Sequence, residues 1–147
     1  GDVPEGDDFT IPFGVADIKR VGTDVSLVAT SSMVHTALNA AKILEKEGIS
    51  VEVVDPRSLS PLDKDTIIQS VIKTSRAVVI DEAYQSYGIT GELASIIHDE
   101  AFDYLDAPVK RIGAMDVPVP FSPGLEPSTI PDEEKIVKTV QSLFRDV

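Results

Sequence analysis

No cysteine occurs among the 147 residues. That absence excludes disulfides, thiolate nucleophiles, iron–sulfur clusters and cysteine-ligated zinc. Imidazole is nearly as scarce: His35 and His98 are the only histidines, neither stands in a pattern with metal-ligand spacing, and both read as polar surface residues. No apolar run approaches the ~20 residues a membrane-spanning helix needs. Basic side chains are also few, 13 against 25 acidic ones, leaving a net charge of −12. A chain this acidic repels phosphate backbones and anionic lipid, which disfavours nucleic-acid and membrane-surface binding. What is present is ordinary for one globular domain: 42% apolar and 26% charged residues rule out wholesale disorder. The first residue is Gly1 and no signal-peptide pattern follows, so the chain is expected to be a processed or excised piece of something longer.

Residues 1–10 carry acids and no base, with Pro4 and two glycines. They read as a solvated acidic linker leading into a domain over residues 11–147. Within that domain short β-branched runs alternate with stretches of helical periodicity. Val25–Thr30, Val51–Val54, Ala77–Ile80 and Val109–Ala114 have strand length and are almost wholly apolar. Between them, Val34, Ala37, Leu38, Ala41 and Leu44 mark a first helix, with Ser31 or Ser32 as its cap and Gly48 just past its end. Ile67, Ile68, Val71 and Ile72 mark a second, capped by Asp63. Leu93, Ala94, Ile97 and Ala101 mark a third, beginning near Thr90. A last helix opens at Pro131 with Asp132, Glu133 and Glu134 in its first turn, where negative charge suits the helix dipole. Apolar strands separated by helices predict a parallel sheet covered on both faces. Ala16–Val21 alternates polar and apolar residues instead, a pattern that suits an edge strand and is compatible with one running antiparallel to the others. Five of the ten prolines fall between Pro118 and Pro131, which makes that stretch a surface connector, since proline cannot donate to a sheet ladder.

In such a sheet, ligands bind outside the carboxyl ends of the strands. The loops there are poor in known chemistry. Thr30–His35 contains no glycine, so the G-x-G-x-x-G turn of dinucleotide-binding folds is absent, and no G-K-[ST] of a P-loop occurs. A phosphoacceptor receiver domain would place an acidic pair after its first strand, where this chain has serines. Asp81 and Glu82, ending the third parallel strand, read either as a general acid/base pair or as carboxylates capping a loop or pairing across an interface. Tyr84 and Tyr87 are assigned to a loop, either as interface anchors or as a cover for the sheet end. Nothing in these loops supports an active site contained within the chain, which points to a domain whose business is assembly.

Six ordered blocks then give a more specific reading: Ile11–Val25 (IPFGVADIKRVGTDV), Glu47–Asp63 (EGISVEVVDPRSLSPLD), Ser70–Thr74 (SVIKT), Val79–Ala83 (VIDEA), Tyr104–Val109 (YLDAPV) and Asp116–Phe121 (DVPVPF). Together they closely resemble the C-terminal, transketolase-type domain of the β subunit in the decarboxylase component of pyruvate, branched-chain 2-oxo acid and acetoin dehydrogenase complexes. The resemblance implies a three-layer α/β/α domain with a mixed, mostly parallel five-strand sheet whose first strand is antiparallel. It implies an intact α₂β₂ oxidoreductase using thiamine diphosphate and Mg²⁺, passing an acyl group to lipoamide on an acyltransferase core, in the cytoplasm or, in a eukaryote, the mitochondrial matrix. In that family the cofactor and catalytic residues lie on other segments. The resemblance therefore assigns no catalytic, cofactor-binding or metal-binding residue here, and the fragment alone is expected to be inactive and to leave the cofactor unbound.

The partners implied are the α subunit, a second β subunit, and the basic peripheral-subunit-binding domain of the acyltransferase. Asp106 and the terminal carboxylate of Val147 stand at the family's docking positions, although Asp106 could equally cap a helix or turn, and Lys110 and Arg111 dilute the negative charge nearby. Arg57 could fork onto a carboxylate of a neighbouring domain or onto a local acid such as Asp63. Arg57, Asp81, Glu82, Tyr84 and Tyr87 are the interface candidates. Two positions depart from the family pattern: Ser31-Ser32 replaces a different pair, and Asp81 a frequent histidine. The rival readings are the C-terminal domain of a transketolase or deoxyxylulose phosphate synthase, and a stand-alone ligand-binding α/β module using the crevice between Ser31 and Glu82.

Overall fold

The computed structural model describes residues 5, 6 and 9–144. Five strands form one sheet: β1 (Asp17–Arg20), β2 (Val25–Ala29), β3 (Val51–Asp55), β4 (Ala77–Tyr84) and β5 (Lys110–Ala114). Their spatial order is β1-β3-β2-β4-β5, with β1 antiparallel to β3 and the remaining pairs parallel. Among the described residues there are four α-helices, α1 (Met33–Glu45), α2 (Lys64–Thr74), α3 (Ile89–Ala101) and α4 (Glu133–Ser142), and two short 3-10 turns, Phe102–Tyr104 and Glu126–Thr129.

Alternation along each strand sends side chains to two separate cores. Val25, Leu27, Val51, Val53, Val78 and Ile80 face α1 and α4, while Val28, Val54, Ala77 and Val79 face α2 and α3. Both faces being covered explains why the inner strands read as nearly continuous apolar runs. The sheet is the expected mixed one, and its antiparallel edge strand is where the alternating segment was placed.

Local chemistry fixes the helix starts unevenly. Asp63 caps α2 as expected: its Oδ1 accepts the Thr66 N–H at 3.1 Å and its Oδ2 the Thr66 hydroxyl at 2.8 Å. The same Oδ2 accepts the Ala16 N–H at 2.9 Å, tying α2 to the entry of β1. The Ala16 N–H, assisted by the two Thr66 donors and opposed by burial, holds the Asp63 carboxyl below its ordinary 3.8. A carboxyl lowered in the folded state stabilises the fold fully above 3.8, and that contribution fades as pH falls through the lower folded value. Asp63→Ala is therefore expected to cost about 1–2 kcal/mol at pH 7. Its urea midpoint should converge on that of the unsubstituted chain as pH drops below 3.8, and a gap that stays constant down to pH 2.5 would refute this.

The serine cap expected for α1 is not made. Ser32 occupies the N-cap position without a side-chain cap bond, because both serine hydroxyls point across the sheet end to another acceptor. The last helix is capped by Asp132, whose side chain accepts from the Lys135 N–H at 2.8 Å, so the helix begins two residues after Pro131.

Candidate functional site

The path of the chain makes one end of the sheet special. From β2 it passes through α1 to β3 on one side, then through α2 across to β4 on the other. The connections diverge above the carboxyl ends of β2 and β4, which opens a crevice there. Thr30, Ser31, Asp55, Pro56, Arg57, Leu59, Asp81 and Ile89 line it, around a volume of about 310 Å³.

Its carboxylates are held by defined donors. The Thr30 hydroxyl donates to Asp81 Oδ1 at 2.6 Å. Ser31 donates to Glu82 Oε1 at 3.0 Å and Ser32 to Glu82 Oε2. These bonds latch the β2–α1 turn to β4, which is why the serines do not cap α1. Of the two readings of the acidic pair, the loop-holding one describes the bonds that Asp81 and Glu82 make.

At the β1 edge, Asp17 and Asp55 face each other in register, a like-charge pairing that needs cations. Lys19 contacts Asp17 at 2.7 Å and Asp55 at 3.8 Å, and Arg57 reaches Asp17 at 2.7 Å. The hydrogen bond from Lys19, together with the charges of Lys19 and Arg57, lowers the Asp17 carboxyl below its ordinary range. Arg57 thus has a local partner, but it is Asp17. Asp63, the local acid expected, is committed to Ala16 and Thr66.

Ser31, Arg57 and Tyr87 hold left-handed backbone with φ of 50°, 59° and 57°. Such conformations persist in non-glycine residues where surrounding contacts over-determine them. All three lie at this end of the sheet.

The same end of the sheet carries exposed apolar side chains. Phe13, Leu59, Tyr84, Tyr87, Met115 and Val117 are exposed at the carboxyl ends of the strands or on the segments entering and leaving them, and Val119, Phe121 and Leu125 continue the belt along the proline-rich connector. Tyr84 belongs to β4, which runs four residues beyond the expected Ile80, rather than to a loop. Tyr87 is fully exposed and Tyr84 nearly half so, which excludes the reading of either as core.

Asp106 stands at the opposite end of the sheet. Its backbone N–H donates to Ser75 just before β4, and its half-exposed carboxylate lies 3.3 Å from Arg76. Arg76 in turn sits over the Phe144 ring, 4.7 Å from its centroid. Neither a helix cap nor a turn cap is made by the Asp106 side chain, so that alternative is set aside. Phe102 and Tyr104 are exposed nearby on the same loop. Val147 lies outside the described residues. The interface candidates thus divide: Arg57, Asp81, Glu82, Tyr84 and Tyr87 gather at the carboxyl edge, whereas Asp106 does not join them. His35 is exposed, and His98 bonds to the Ala94 carbonyl at 2.9 Å within its own helix.

An open, mostly parallel sheet with an antiparallel edge strand and a ligand-sized crevice at its switch point defines a doubly wound α/β domain. The chain belongs to the family described as "Transketolase, C-terminal domain", whose sequence model matches residues 14–136. It is 52% identical over 144 residues to the acetoin:2,6-dichlorophenolindophenol oxidoreductase subunit beta of Bacillus subtilis, covering 98% of this chain and 42% of that protein. It is 47% identical over 133 residues to the mitochondrial pyruvate dehydrogenase E1 component subunit beta of Pisum sativum, covering 90% of this chain and 37% of the relative. Among solved structures, a split-gene transketolase described as an inactive β₄ tetramer superposes with a TM-score of 0.75 at 31% identity, over 96% of this chain and 45% of that one. The chain therefore spans less than half the length of the relatives it matches. Among the described residues, no helix is long and apolar enough to cross a membrane.

Proposed function

We propose that this chain is the contact-making C-terminal domain of the β subunit of a 2-oxo acid or acetoin dehydrogenase. Within an α₂β₂ enzyme it supplies shape and surface to a catalyst whose reactive groups lie on other segments. The observation that carries this reading is the apolar belt at the carboxyl edge. Exposed apolar groups drawn from several segments at one end of the sheet mark a surface that another polypeptide covers. The names of the relatives, β subunits of an acetoin oxidoreductase and of pyruvate dehydrogenase, support the choice of enzyme.

Thiamine diphosphate and Mg²⁺ do not fit the described residues. No three His, Asp or Glu side chains among them could hold a metal ion together. The crevice offers carboxylates, which repel a diphosphate, and its one guanidinium is engaged by Asp17. The cofactor's binding groups are accordingly assigned to partner segments, and the chain by itself is inactive in this reading. At the other end of the sheet, Asp106 with Phe102 and Tyr104 forms the surface offered to the acyltransferase's small basic binding domain.

Sedimentation of the chain with the α subunit of its own source tests the reading. Replacing Tyr87 and Phe121 together by serine should weaken association by about thirtyfold, the effect of losing aromatic anchors. Asp106→Ala should leave that association intact and slow capture of the binding domain, more at low salt than at high. Association with the α subunit unaffected by the double substitution would overturn the assignment of the belt.

A further inference from the structure

We infer that the switch-point crevice is a socket for a single basic side chain of the partner subunit, with Asp81 as its anchor. This deepens the assembly reading and rests on it.

Asp81 is only 8% exposed. Its Oδ1 is satisfied by the Thr30 hydroxyl at 2.6 Å, while its Oδ2 accepts no hydrogen bond from any described residue. Asp81 lines the crevice, and this oxygen is not among the fully buried, unpartnered atoms, so a cation or donor entering the crevice can reach it. The side-chain bonds that the nearby donors make are directed to other acids. Ser31 and Ser32 serve Glu82, Arg57 gives its guanidinium to Asp17 and its backbone N–H to Asp55, and Lys19 lies between Asp17 and Asp55. Asp17, Asp55, Asp81 and Glu82 thus face two cations at this edge, which leaves two negative charges uncompensated.

The walls specify the rest of the occupant. Pro56, Leu59 and Ile89 line the crevice beside the acids, so a guest should carry an apolar stem and a cationic head, as arginine and lysine do. A volume of about 310 Å³ lies at the small end of ligand sites, roughly 300–1,000 Å³, and suits one side chain better than a cofactor. Leu59 lines the socket and is itself half-exposed, and Tyr84 and Tyr87 lie on the strand end and loop that lead into the wall residue Ile89, so the socket shares one end of the sheet with the apolar surface assigned to the partner. The opposite charge supplies the complementarity and fixes the register of docking.

The test uses N-acetyl-arginine amide as probe and its neutral isostere N-acetyl-citrulline amide as control, titrated into the ¹⁵N-labelled chain. The arginine probe is expected to shift the amides of Thr30, Ser31, Asp81 and Glu82 saturably in the millimolar range, and citrulline to leave them unmoved. Asp81→Asn keeps the acceptor for Thr30 and should weaken probe binding by about tenfold or more. Leu59→Ser gives a second variant, in the wall, that should weaken it without touching charge. Equal shifts with both probes, shifts spread over the whole acidic surface, or unchanged binding by Asp81→Asn would each overturn the socket. The Tyr87 and Phe121 substitutions lie outside it and should leave probe binding intact, so failure of the socket and failure of the assembly reading are separable.

Discussion

Lys73→Met is expected to lower the unfolding free energy by about 3 kcal/mol, although Lys73 is a half-exposed residue in the last turn of α2. The reason lies at the other end of its ion pair. Glu52 is completely buried on β3. Its Oε2 accepts the Gly22 N–H at 3.2 Å and the Lys73 ammonium, while its Oε1 is buried with no partner among the described residues. Among the described residues, the ammonium is thus the one charge compensating a carboxylate held out of water. Removing the acid frees a lysine that can turn outward, but removing the lysine strands the acid. Glu52→Gln alone keeps an oxygen for Gly22 and should cost only about 1 kcal/mol. The double variant Glu52→Gln with Lys73→Met should be more stable than Lys73→Met by itself, because no buried charge remains to be compensated. Urea denaturation of the three variants decides this. A double variant less stable than the lysine variant would mean that the stranded Glu52 carboxylate is not what makes the loss of Lys73 costly.

That pair also marks the boundary of what the sequence made legible. Val25–Ala29 and Val51–Asp55 announced themselves because strands buried on both faces are apolar throughout, and the β1 edge because its alternation differs. Asp63 was readable as a cap because its partner Thr66 is three residues away. Glu52 sits inside a β-branched run where one acid looks like noise, and its partners are 30 and 21 residues distant. The serines offered the same local reading as Asp63, a cap on the helix that follows, yet their acceptor is Glu82, 51 and 50 residues on. Arg57 failed similarly, since Asp17 becomes its neighbour only when β1 pairs with β3. The carboxyl edge could be located from the strand rhythm alone. Most of its bonding could not, because the latches from Thr30, Ser31, Ser32 and the Arg57 guanidinium join segments brought together by the sheet order.

Gly88→Ala is expected to cost about 2–3 kcal/mol, in the range of overpacking a filled site, and to disturb the candidate interface as well. The backbone of Gly88, with φ of −86° and ψ of 171°, is one that any residue adopts, so conformational strain is not the cause. Space is. A Cβ there would lie 2.2 Å from the Tyr84 carbonyl oxygen, and the loop has little freedom to retreat. The Gln85 N–H is bonded to the Ala114 carbonyl at 3.2 Å, the Ser86 hydroxyl to Asp116 at 2.6 Å, and the Gln85 backbone is nested so closely on Gly113 that a Cβ at that position would come within 2.7 Å. Relief must come from moving the Gln85–Gly88 loop or the start of α3, which carries Tyr87 to the belt and Ile89 to the crevice wall. Gly48→Ala is the control. Its φ of +83° is unfavourable to alanine but nothing lies within 4 Å, so it should cost about 1 kcal/mol of conformational strain and leave the carboxyl edge untouched. Chemical denaturation ranks the two, and α-subunit association should fall for Gly88→Ala only. Equal association by both variants would show that the loop absorbs the extra carbon without moving Tyr87, and that its close packing serves stability alone.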